Sequence, residues 1–144
     1  MAYVTLDQLE ARFGTDLLIR RTDRFNRPPT TIDTVVVAAT IADAEALIDG
    51  YLAKAYALPL SVVPPILARV AADIAIYYLM GDTAEKDGSW HRAYREATAW
   101  LTDVSKGLIQ LEAAGVAPGP SGGGAVQANT PERPLTAATM KGYI

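Results

Sequence analysis

The sequence predicts an all-α fold, a small bundle of four to five helices with an extended, irregular C-terminal arm. Two observations support this prediction. Apolar residues recur at intervals of three and four over most of residues 1–114, which is the spacing of one helix face. Eight of the ten residues in 115–124 are Gly, Pro or Ser, a composition typical of linkers. We therefore predict a helical domain over 1–114 and a linker with a C-terminal arm over 115–144.

Two short helices are predicted at the N-terminus. Thr5 and Gln8 have the spacing of a capping box, so the first helix begins directly after Thr5. Gly14 suits the end of this helix, because glycine readily adopts the backbone conformation that closes a helix. Thr15 can cap a second helix that runs to about Asp23. The polar, proline-containing segment that follows is predicted to be a loop.

A long third helix is predicted from about Asp33. Its core-facing stripe has the helical spacing and consists of Val37, Ile41, Ala44, Ile48, Tyr51 and Ala55. Small residues gather on the opposite side of the helix, namely Ala39, Ala42, Ala46, Gly50 and Ala53. This helix therefore has two packing faces, one bulky and one small.

An elbow and two further helices complete the predicted domain. Three prolines in residues 56–65 cannot continue a helix, and the last of them suits the first turn of the next one. That helix, from about Pro65 to Met80, is apolar nearly all round and should be the buried central element. The last helix should begin at Asp87 or Ser89 and continue to about Ala114. Its apolar stripe is Trp90, Tyr94, Ala97, Leu101, Val104, Leu108 and Leu111.

Composition argues against several classes of function. The chain has 144 residues, no cysteine, one histidine and a net charge of −3. The lack of cysteine excludes disulfides and thiolate metal sites. A Ser-His-Asp triad is disfavoured, because the chain has only one histidine to act as its base. The sequence shows no signal peptide and no apolar run long enough to span a membrane. We expect no enzyme activity, no cofactor, no metal and no contact with membranes.

Three polar groups are candidates for chemistry. Glu45 and Asp49 share a helix face and could bind a cation or do acid–base work, although a solvated flank is the favoured interpretation. Arg69 and Asp73 lie four residues apart on the most apolar helix and are predicted to form a structural ion pair. His91 is interpreted as a surface histidine.

Two features are candidate contact sites. Arg20, Arg21, Arg24 and Arg27 surround one aspartate, which gives residues 20–27 a net charge of +3. This cluster could contact DNA phosphates or an acidic partner, or it could simply be hydrated. Trp100 lies off the apolar stripe of its helix and is a candidate for contact with a protein partner.

A set of short motifs marks a family resemblance. The central part is Ile48-Asp49-Gly50-Tyr51-Leu52, Tyr56, Leu58-Pro59-Leu60 and Val63-Pro64, followed by Asp73-Ile74-Ala75. Tyr3-Val4-Thr5-Leu6, Arg12-Phe13-Gly14 and the ending Met140-Lys141-Gly142-Tyr143 accompany it. In this combination the chain resembles the Mu-like phage and prophage head–tail adaptor family. It departs from the family at Ala55, where an arginine is common.

The resemblance implies a helical virion protein that forms a ring beneath the phage portal, after synthesis in the host cytoplasm. The implied partners are other copies of the chain in a dodecamer, the portal and a neck or tail-completion protein. Genomic double-stranded DNA would pass through the ring without sequence-specific binding. The motif residues from Ile48 to Pro64 would fix the elbow. Ala39, Ala42, Ala46, Ala53, Trp100, Met140, Gly142 and Tyr143 are the candidate interface residues. The alternatives are a neck stopper or tail-terminator protein, which is more often rich in strands, and a small DNA-binding protein that uses the arginine cluster.

Overall fold

Five α-helices make up the regular structure of residues 2–111, the part of the chain that the computed structural model describes. They are α1 (Leu6–Phe13), α2 (Thr15–Thr22), α3 (Thr34–Leu52), α4 (Pro65–Met80) and α5 (Ser89–Ser105), with a 3-10 turn at Gly81–Thr83 after α4. The predicted all-α bundle is confirmed. None of the described helices is long and apolar enough to cross a lipid bilayer.

The first and third helices begin where the sequence predicts. The Thr5 hydroxyl accepts a hydrogen bond from the Gln8 amide at 3.3 Å, and the Gln8 side chain accepts one from the Thr5 amide at 3.0 Å. The Asp33 carboxylate accepts from the amides of Val35 and Val36 in the first turn of α3. Thr15 does not cap α2: it is the first helical residue, and Gly14 precedes it at φ +86°. Glycine takes this conformation at little cost.

Helix α4 is the centre of the bundle and contacts every other helix. Nine of its sixteen residues are buried, which confirms the prediction for this apolar segment. Helices α3 and α5 also pack against each other. The buried residues of α3 are Val37, Ala44, Ile48 and Leu52. Most of the predicted core stripe of α3 therefore faces the interior, and the core lies between α3, α4 and α5.

The elbow between α3 and α4 is tied to the end of the described chain. Within the elbow, Tyr56, Leu60 and Pro64 are buried, whereas Pro59 is exposed to solvent. The Tyr56 hydroxyl accepts a hydrogen bond from the Leu111 amide at 2.8 Å, and Leu111 is itself buried. The segment after α5 is thereby fixed against the elbow.

The predicted extension of α5 to about Ala114 is wrong for its described part, because the helix ends at Ser105. Gly107 adopts φ +74°, and its amide donates to the carbonyl of Val104 at 3.0 Å. The Leu108 amide donates to the carbonyl of Asp103 at 2.9 Å. This pair of bonds is a Schellman motif, which closes a helix at a glycine. Leu108 is consequently 73% exposed.

Aromatic residues of α1, α4 and α5 pack between these helices. Trp90 meets Phe13 edge to face with ring centroids 5.6 Å apart. Tyr77 of α4 stacks on Tyr94 of α5 at 4.3 Å. Such pairs stabilise a core by more than the area that they bury would.

The linker and arm over 115–144, with Met140, Gly142 and Tyr143, lie outside the described residues.

Candidate functional site

The outer face of α3 is exposed and has no other described helix packed on it. This face consists of the five small residues Ala39, Ala42, Ala46, Gly50 and Ala53, all of them exposed. Val35, in the first turn of the same helix, continues the face and is 76% exposed. Helices with small residues can approach one another closely, so the outer face offers room for a helix of another molecule.

A shallow groove borders the outer face. It has a volume of about 360 Å³ and lies between the N-terminal segment and α3. Its walls include Val4, Leu6, Val37, Ile41 and Ala42. The groove and the outer face share Ala42, so together they form one continuous, largely apolar surface.

The carboxylates of Glu45 and Asp49 hold the N-terminal segment in place. The Tyr3 amide donates to the Glu45 carboxylate at 3.1 Å, and the Tyr3 hydroxyl donates to Asp49. Burial raises the pKa of the Tyr3 hydroxyl well above its usual value, and the bond to Asp49 raises it further. The interpretation of these carboxylates as a purely solvated flank is therefore wrong, because they bind the first residues of the chain to α3.

The motif residues divide between core and surface. Ile48 and Leu52 are fully buried, whereas Tyr51 and Leu58 are half-buried and pack against the core. Gly50 is exposed, and apart from its chain neighbours and the adjacent backbone of α3 no described atom lies within 4 Å of the position that a Cβ would occupy there. In the fold, Tyr3 of the N-terminal motif is hydrogen-bonded to Asp49 of the central motif.

Asp73 joins two further motif segments. Its carboxylate lies 3.6 Å from the Arg12 guanidinium of α1 and 3.9 Å from that of Arg69. Burial raises the pKa of Asp73, and the two arginines only partly offset that effect. The predicted structural ion pair is present, with a second arginine that the sequence analysis missed.

The arginine cluster spans the last turn of α2, which carries Arg20 and Arg21, and the loop after it, which carries Arg24 and Arg27. This loop is organised by Asp23. The Asp23 carboxylate accepts hydrogen bonds from the amides of Phe25, Asn26, Thr30 and Thr31 at 2.9–3.2 Å. These bonds, above all the one from Thr30, hold the pKa of Asp23 well below its usual value. A single carboxylate therefore fixes the shape of the loop.

The bonds to Asp23 predict a local effect of its removal. In an Asp23→Ala variant the amides of Asn26, Thr30 and Thr31 lose their acceptor, so we expect faster hydrogen exchange there and a lower melting temperature at neutral pH. Asp16→Ala, at an exposed position on α2, is the matched control. Wild-type exchange rates at these amides in Asp23→Ala would contradict the described loop.

The lowered pKa of Asp23 also predicts the sign of a pH effect. A carboxyl group with a lowered pKa in the folded state stabilises the fold above its ordinary pKa of about 3.9. That stabilisation is lost as the pH falls towards the lowered value. Amide NMR signals of the loop should therefore stay constant from neutral pH to about 4 and shift only below it. A shift around neutral pH would contradict this.

The four arginines are exposed except Arg21, which is half-buried and donates to the Thr83 hydroxyl at 2.8 Å. Arg20, Arg24 and Arg27 form no ion pair with the side chains that the structure describes, which do not include that of Asp82. Phe25 lies among them and is 87% exposed, the highest value for a large apolar side chain in the described residues. Sequence analysis missed Phe25, although a phenylalanine between arginines in a polar loop has no core to join.

Two other candidate residues are not free. Trp100 is partly buried and packs against the core, so it offers only part of its ring to a partner. His91 is half-buried, and its Nδ1 lies 3.3 Å from the Tyr77 hydroxyl. Residues 2–111 contain no group of three His, Asp or Glu side chains that could hold a metal ion. Two exposed surfaces in this part of the chain are the outer face of α3 and the arginine cluster.

Comparison with known proteins gives consistent matches. A family model described as "Bacteriophage Mu, Gp36" matches residues 3–129. Gene product J of Escherichia phage Mu is 34% identical over 149 aligned residues, which cover 100% of both chains. The Mu-like prophage FluMu protein gp36 of Haemophilus influenzae is 33% identical over 81 residues, 56% of each chain.

Proposed function

The chain belongs to the bacteriophage Mu Gp36 family, and from this membership we propose that it is a structural virion protein that acts as a head–tail adaptor. In this role, copies of the chain form a ring beneath the portal, extend the DNA channel and present a surface to the neck or tail-completion protein. The chain acts by assembly and catalyses no reaction. It is made in the host cytoplasm and ends in the neck of the virion.

The uncovered outer face of α3 is the observation that carries this proposal. A ring of identical subunits is built from head-to-tail contacts, so each subunit needs two different surfaces that find their complement in a neighbour. A helix with a filled inner face and an exposed, largely apolar outer face supplies one of them. In a monomer such a surface would stay in water without contributing to the fold.

The helical fold favours an adaptor over the alternative in the same part of the virion. A neck stopper or tail-terminator protein is expected to be rich in strands, whereas every regular element in residues 2–111 is a helix. The small DNA-binding protein is less favoured, since the charge of the chain outside the arginine cluster is negative.

A phage that lacks the gene tests the proposed function. In a Mu-like phage with the gene deleted, we expect DNA-containing heads and separate tails to accumulate unjoined, as seen by electron microscopy of lysates. A plasmid copy of the gene should restore joined particles. Normal virions in the absence of the gene would refute the proposal.

A single substitution tests the use of the outer face. Because Ala46 is exposed, Ala46→Leu should change the free energy of unfolding by less than about 0.5 kcal/mol. The larger side chain would keep a neighbouring subunit from close approach, so ring formation should weaken by about tenfold or more, which corresponds to roughly 1.4 kcal/mol.

The matched control is Ala99→Leu, the same change at an exposed position on α5. Mass photometry at several protein concentrations, with thermal melts of each variant, measures both effects. If Ala46→Leu assembles like Ala99→Leu, the outer face is not an interface.

A further inference from the structure

The distribution of charge in the described chain is strongly uneven. Residues 20–27 carry four arginines and one aspartate, a net charge of +3. The rest of residues 2–111 contains seven Lys and Arg against thirteen Asp and Glu, a net charge of −6. A basic cluster on a body whose remaining net charge is negative is complementary to the body of another copy.

The basic surface is also shaped and partly apolar. Arg20, Arg21, Arg24 and Arg27 line a concavity of about 360 Å³. Phe25, 87% exposed, projects from the same loop. Arginine and aromatic residues are the types most enriched at the centres of protein interfaces. Because Asp23 already fixes the backbone of the loop, little backbone conformational entropy would be lost on binding.

Hydrogen bonds within the described residues explain the backbone shape of the loop. They do not involve the exposed arginine and phenylalanine side chains that the loop carries. Thr22 is fully buried and its hydroxyl accepts from the Asp33 amide at 3.0 Å, so the two ends of the loop are held together. Asp23 is engaged with backbone amides inside the loop. The side chains of Arg24, Phe25 and Arg27 form no hydrogen bond or ion pair with another described side chain or backbone group. Their side chains are therefore free to meet another molecule.

We infer that the surface formed by Arg20, Arg24, Phe25 and Arg27 docks on the acidic body of a second copy of the chain. The inference rests on the proposed ring and names one of its two contact surfaces. The contact is head to tail, because a basic loop would repel the same loop on its neighbour. The arginines meet carboxylates of the adjacent copy, and Phe25 packs against its apolar surface.

Duplex DNA is the weaker candidate for this surface. A duplex carries phosphates along its whole length, so DNA that touched the loop would also lie near the acidic body. The aromatic ring of Phe25 adds nothing to contacts with backbone phosphates, whereas it would contribute to a protein interface. A neighbouring copy needs only a local group of carboxylates.

Charge reversal on the full-length chain tests the inference. The variants are Arg24→Glu/Arg27→Glu and Phe25→Ala. The matched control is Lys86→Glu/Arg92→Glu, which makes the same charge change at exposed residues outside the loop. Mass photometry, alone and with purified portal, gives the assembly state, and electrophoretic mobility shift with duplex DNA gives nucleic-acid binding. Circular dichroism should show the same fold for all variants, since the changed side chains are exposed.

We expect both loop variants to weaken assembly by about tenfold or more, while the control assembles like the wild type. Equal assembly of all variants would overturn the inference and leave the proposed ring intact. A loop variant that assembles normally but loses the duplex DNA binding of the wild type would assign the surface to nucleic acid and overturn it as well. A wild-type chain that stays monomeric alone and with portal would refute the proposed function, and the inference with it.

Discussion

Replacement of Ile48 by alanine is expected to lower the free energy of unfolding by about 2–5 kcal/mol. Ile48 lies on the inner face of α3 with no exposed surface and belongs to the main core. Removing part of its side chain costs transfer free energy and leaves a cavity that the packed neighbours fill only in part. Domains of this size are stable by about 5–15 kcal/mol, so the loss is a large share of the total.

The matched control is Ile66→Ala, the same substitution in the first turn of α4, where the side chain is 40% exposed. Urea unfolding followed by circular dichroism, at concentrations where the chain is monomeric, measures both variants. Ile66→Ala should cost no more than about 1 kcal/mol. An equal cost at the two positions would show that the inner face of α3 is not packed as described.

Deletion of residues 115–144 is expected to leave the helical body folded and to weaken assembly by about tenfold or more. The core of the described body is complete by Leu111, which is buried and tied to the elbow through Tyr56. The removed segment begins with linker composition and ends in Met140-Lys141-Gly142-Tyr143-Ile144, which has apolar side chains at residues 140, 143 and 144. We propose that it reaches a neighbouring subunit or the portal.

Two further variants separate the parts of this arm. One ends after residue 124 and keeps the linker, and the other carries Met140→Ser with Tyr143→Ser in the full chain. If the arm works through its apolar end, both should assemble as poorly as the full deletion. Loss of helical circular dichroism in the deletion would instead show that the body needs the arm to fold. Assembly at wild-type strength would remove the arm from the interface.

Local sequence patterns predict the helices well because the forces that start and stop these helices are local. The capping box at Thr5, the aspartate cap at Asp33 and the proline start of α4 are each formed by neighbours in sequence. The end of α5 was mispredicted because its apolar spacing continues past Ser105. Gly107 closes the helix there. Leu108 belongs to the same apolar pattern, but it lies beyond the end of the helix and is exposed.

Contacts between distant segments account for what the sequence analysis missed in the site. Tyr3 and Asp49 are separated by 46 positions in the sequence, and Arg12 and Asp73 by 61. Helical periodicity relates only residues of one helix, so it could not predict these contacts. The loop shape depends on Asp23, whose carboxylate reaches as far as Thr31. The small face of α3 and the arginine cluster were predictable, since each is visible as a pattern of residue types. Their exposure is a property of the packed bundle.

Assembly on the portal is the most direct test of the proposed adaptor role. Mass photometry of the full chain with purified portal should show one discrete complex that contains about twelve copies of the 15.3 kDa chain, and the complex should be absent when either component is omitted. A chain that stays at its monomer mass at every concentration, and that leaves the portal mass unchanged, would contradict a ring adaptor.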